Sequence, residues 1–106
     1  MKLTTVGLVI AERQILDETG ATAYVIKIGI PQPFSDGIDF YCPVQVLASG
    51  EPTGTISYSA GVDSVQALQL AFKLVGGALI RLNQKHEGKL RWIGDEHGDL
   101  GFPIPT

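Results

Sequence analysis

The chain has 106 residues, 44% apolar and 18% charged, with 8 basic against 11 acidic residues and a net charge of −3. That length suits one domain with one core, and a single cysteine, Cys42, excludes an internal disulfide and a thiolate zinc cluster. The scattered basic residues make no stripe for nucleic acid, no stretch reaches the ~20 apolar residues that cross a bilayer, and no leader-like run opens the chain, so a cytoplasmic protein is expected.

Turn signals cut the first sixty residues into four segments of strand length. In the first, Val6, Leu8 and Ile10 share a face, and the segment continues through Arg13 and Ile15 to the turn at Asp17-Glu18-Thr19-Gly20. In the second, Tyr24, Ile26, Ile28 and Ile30 alternate with Val25, Lys27 and Gly29 until Pro31 and Pro33 end it. The third runs from about Asp39 to Ala48 with Phe40, Cys42, Val44, Val46 and Ala48 on one side, and Pro43 predicts an edge position or a bulge. The fourth, Thr55 to Ala60, aligns Ile56, Tyr58 and Ala60.

A long helix is predicted after Gly61. Asp63 is a good N-cap, and Gln66 three residues on completes a capping box. Val65, Leu68, Phe72, Val75, Leu79 and Leu82 recur at 3, 4, 3, 4, 3 and form the expected core stripe, with Gly88 as the stop. Lys89 to Ile93, with Leu90 and Trp92, reads as a short fifth strand, and Asp99 to Thr106 as an extended tail. The expected fold is therefore α+β, one domain over residues 1–106: a mainly antiparallel β-β-β-β-α-β arrangement with the helix packed on one sheet face.

Gly61-Val62-Asp63-Ser64-Val65-Gln66-Ala67-Leu68, Leu90-Arg91-Trp92 and Asp99-Leu100-Gly101-Phe102-Pro103 together resemble a family of small uncharacterised bacterial proteins classed as a domain of unknown function. The resemblance covers nearly the whole chain. It implies a bacterial origin and a free-standing domain, and brings no catalytic residue with it.

Candidate chemistry is sparse. Asp63, Ser64 and Gln66 at the helix start could bind an anion, but an Asp cap satisfies those N–H groups itself and repels an added negative charge. His86 and His97, near Asp95, Glu96 and Asp99, lack metal-ligand spacing and read as a polar turn. Cys42 reads as a buried small hydrophobe, and Ser57, Ser59 and Ser64 lack a nucleophile elbow or a base. No cofactor or metal is implied.

The oddest feature is Gly76-Gly77 inside the helix, where each glycine costs about 0.5–1 kcal/mol against alanine. Leu70, Leu74, Gly77 and Arg81 form a second side of the helix away from the core stripe. Either the tail, through Leu100, Phe102 and Ile104, covers that side or another protein does, with Gly77 in both cases the point of close approach. The leading expectation is a non-catalytic interaction, regulatory or accessory module, as a homodimer or with a protein partner. The alternative is a small-molecule binder or enzyme using Asp63 together with Trp92, Asp95 or His97.

Overall fold

The computed structural model describes residues 1–51, 54–95 and 100–103. Five strands form one antiparallel sheet: β1 (Val9–Leu16), β2 (Thr22–Gly29), β3 (Gln32–Pro33), β4 (Phe40–Ala48) and β5 (Ile56–Gly61). One helix, α1 (Ser64–Lys85), crosses it. Phe40 and Tyr41 pair with Pro33 and Gln32 of β3 on one side and with Gly61 and Ala60 of β5 on the other. β3 is therefore β2 resumed after the break at Ile30-Pro31, and across the sheet the order is β1, then β2 with β3, then β4, then β5. It is the expected meander, its extra strand supplied by the proline-rich loop.

Each turn has a local cause. At the first, the Asp17 carboxylate accepts from the Thr19 hydroxyl at 2.6 Å and from the N–H groups of Thr19 and Ala21 at 2.8 and 3.2 Å. These bonds, the Thr19 hydroxyl foremost, hold the Asp17 carboxyl below its ordinary pKa. Pro43 lies in the central strand and not at an edge, at a bulge-like irregularity where Gly29, Ile30 and Pro31 oppose only Cys42 and Pro43. The ladder toward β2 lapses between Ile28↔Val44 and Gln32↔Tyr41, and Pro43 occupies that gap without interrupting its pairing with β5.

The core lies on one face of the sheet: Ile15, Ile26, Ile28, Cys42 and Val44 from the strands, Ala67, Ala71, Val75 and Leu79 from the helix, and Leu90 and Leu100 beyond it. The helix is rotated from the expected stripe. Ala67 and Ala71 are fully buried, Leu68, Phe72 and Leu82 flank the core, and Val65 is 61% exposed. The cause is proximity. A Cβ on Gly61 would lie 2.5 Å from the Ala67 nitrogen, and Ser59 Oγ donates to the Ala67 carbonyl at 2.5 Å, so only small side chains fit between α1 and β5.

Pairing with β4 decides which face of β5 looks inward. Ile56, Tyr58 and Ala60 do align, but opposite Gln45, Pro43 and Tyr41; the residues opposite the buried Val44 and Cys42 are Ser57 and Ser59. On the outer sheet face Phe34 folds back against Tyr41 and Tyr58, with ring centroids 5.1 and 6.1 Å apart. At the chain start only Val6 is buried, while Leu8 and Ile10 are 66% and 45% exposed, so the strand begins later than the alternation implied.

α1 packs on β4 and β5. The β1–β2 half of the core face is closed by the chain after the helix. Asn83 Oδ1 accepts from the Leu90 N–H at 2.9 Å, and Glu87 and Gly88, both at positive φ, turn the chain back. Lys89–Ile93 returns to the sheet, though as one bridge and not a strand: Leu16 and Arg91 exchange N–H···O bonds of 2.6 and 2.9 Å. Arg13 then stacks its guanidinium 3.8 Å from the Trp92 ring centroid and 5.1 Å from that of Phe102, and donates to the Leu100 carbonyl at 3.2 Å.

Among the described residues the tail meets the helix at Gly76, where a Cβ would collide with the Pro103 carbonyl oxygen. By composition α1 qualifies as long and apolar enough to cross a bilayer, with 22 residues and a mean hydropathy of 1.3, which corrects the expectation that no such stretch exists. In the fold its buried stripe is used on the sheet.

Candidate interaction surface

The residues singled out from the sequence fall in three places. Asp63, Ser64 and Gln66 open α1 and are exposed. Asp63 accepts from the Gln66 N–H at 2.8 Å, and Gln66 Oε1 accepts from the Val62 N–H at 2.8 Å, so both side chains are engaged in capping. Trp92 lies against Arg13 of β1, at the far edge of the sheet from the β5–α1 junction that holds Asp63. The two are not brought together. His97, Glu96, Asp99 and Ile104 lie outside the described residues.

His86 caps the helix end and shares a 3.0 Å hydrogen bond with the Tyr24 hydroxyl. Among the described residues no group of three or more His, Cys, Asp or Glu side chains is placed to hold a metal. Cys42 is fully buried, its thiol directed to the Gly29 carbonyl at 3.4 Å, and burial pushes its pKa up to about 11, far from a reactive thiolate.

The second side of the helix is partly open. Leu70 and Leu74 each keep 37% of their surface, Arg81 is exposed and Gly77 half-buried, while Phe102 and Pro103 run along the opposite flank beside Phe72 and Gly76. On an ideal helix Leu70 and Leu74 project toward the side of Ala67 and Ala78, so they overhang the outer edge of β5.

That edge is the surface sequence reading missed. The two edges of the sheet are built differently. β1 carries bulges between Val9 and Ala11 and between Ile15 and Leu16, has Glu12 and Arg13 in its middle, and is capped by the bridge to Arg91. Those are the devices that stop an edge from pairing. β5, Ile-Ser-Tyr-Ser-Ala-Gly, has no charge, no proline and no register shift, and its outer side pairs with no described strand. A composition cue was available, since β5 is the one long strand without a charged residue or proline.

The comparisons with known proteins agree with the sequence resemblance and add no activity. No curated protein and no solved structure matches the chain. A family model described as a domain of unknown function (DUF6968) matches residues 11–104, which takes in every strand but the start of β1 and the whole of α1, and the chain belongs to that family.

Proposed function

We propose that this protein is an interaction module of the bacterial cytoplasm whose docking surface is the free edge of β5 with the Leu70–Leu74 flank above it, and whose first occupant is a second copy of the chain. The observation that carries this reading is the contrast between a defended β1 edge and an undefended β5 edge. An unpaired, uncharged edge strand invites pairing, and a two-fold axis through its middle would let it pair with itself.

The helix position supports the same arrangement. α1 rests on β4 and β5, beside the outer edge. Two copies joined at β5 would bring their helices alongside each other over the joined strands. Leu70 and Leu74 would then meet across the axis. A single buried cysteine suits the reducing compartment.

Light scattering tests the reading on the wild type, on Leu74→Glu and on Ala60→Lys, the last being a charge on an exposed edge residue that the fold itself tolerates. The expected result is a wild-type dimer and folded monomers for both variants. A wild type that stays monomeric at high concentration overturns the proposal, as does a dimer that survives Ala60→Lys. Loss of thermal stability in Leu74→Glu from a monomeric wild type would make that flank internal core.

A further inference from the structure

Beneath the C-terminal half of α1 the helix and sheet part, leaving a cleft of about 430 Å³, within the range of small-molecule sites. Val44 and Val46 make its apolar floor, Tyr24 and Ser57 bring hydroxyls, and Arg81 and Lys85 stand at the rim. Among the described residues no lining residue is acidic and the ion pairs all involve Lys89, so neither rim cation has a described carboxylate within 4.0 Å.

Lys85 in the last turn complements the helix dipole. Arg81 has no such reason, and at i, i+4 the two cations repel each other above an apolar surface. Their placement contrasts with the smaller cavity beside β1, of about 250 Å³, where the Arg13 guanidinium is already committed to Trp92, Phe102 and the Leu100 carbonyl. From these features we infer that the cleft binds a small amphipathic anion, a carboxylate with a short aliphatic or aromatic body: the head lies between Arg81 and Lys85, the body on Val44 and Val46. A monoanion in that position relieves the cation repulsion and removes apolar floor from water together. Every lining residue of the site comes from one copy of the chain.

The test is a titration of the full chain with octanoate followed by amide NMR, with 1-octanol and inorganic phosphate in parallel. Saturable shifts are expected at Ser57, Ala78 and Arg81, with octanoate binding at least tenfold tighter than either control. Arg81→Gln combined with Lys85→Gln, both exposed positions, should weaken octanoate about tenfold or more while leaving the spectrum elsewhere unchanged. Absence of saturable shifts overturns the proposal. So does equal binding of octanol, which would leave the cations idle, or equal binding of phosphate, which would leave the floor idle. Undiminished binding by the double variant overturns it as well.

Discussion

Replacing Gly76 by alanine tests how the C-terminal segment is held. In an isolated helix the change is favourable by about 1 kcal/mol, since alanine is the better helix former. Here the added methyl would collide with the Pro103 carbonyl oxygen and lie 3.1 Å from its carbon. Because the obstacle is backbone, no rotamer change relieves it, and the segment must lift. Lifting uncovers part of Leu100, now 4% exposed, and of Phe102, which packs on Phe72 with centroids 6.2 Å apart. Full exposure of one such side chain costs about 1.5–3 kcal/mol, so after the helical gain the net loss should be about 1–2 kcal/mol. Urea unfolding should show a lower midpoint at an unchanged slope, with Tm down by roughly 5–10 °C. A midpoint raised by Gly76→Ala would refute the contact and the account of why glycine stands there.

Two more predictions concern the interior. Arg13→Lys keeps the charge but loses the flat stack on Trp92, so stability should fall by about 1 kcal/mol and the emission of this single tryptophan should move to the red; unchanged emission would contradict the stack. Cys42 has its pKa raised from 9.0 to about 11, so the folded state holds that proton more tightly than the unfolded chain. The associated stability is fully present below about pH 9 and is lost as pH rises through 11, up to about 2–3 kcal/mol. Unfolding measured from pH 8 to 11 should fall more steeply for the wild type than for Cys42→Ala, and parallel curves would remove the assignment.

Local patterning determines much of this fold and not all of it. Alternation in β2 and β4 was legible because β-branched residues fall on one face, and Asp63 with Gln66 marked the helix start because capping is local chemistry. The inward face of β5 was not legible, since Ile56 and Tyr58 outrank Ser57 and Ser59 in any hydrophobic reading. What reverses them is pairing: with Cys42 and Val44 inward, their cross-strand neighbours must be inward too. The helix rotation has the same origin, because Ala67 and Ala71 win the buried positions by being small where α1 comes down onto Gly61. The close approach at Gly76 depends on the path of Pro103, which no local pattern gives. The candidate surface depends on β5 being an edge, and the cleft on where helix and sheet diverge, which are properties of the assembled layers.

The division of the cover between α1 and the segment after it has a consequence for synthesis. Residues Leu16 and Arg91, and Arg13 and Leu100, are joined across almost the whole chain. A ribosome delivers Ile15, Ile26 and Ile28 long before the Leu90–Pro103 segment that shields them. Until that segment emerges, β1 and β2 therefore present an apolar surface that the chain after the helix has yet to close. Holding factors that bind nascent apolar strands would find their target in β1 and β2, and release from them would coincide with the arrival of Trp92 over Arg13.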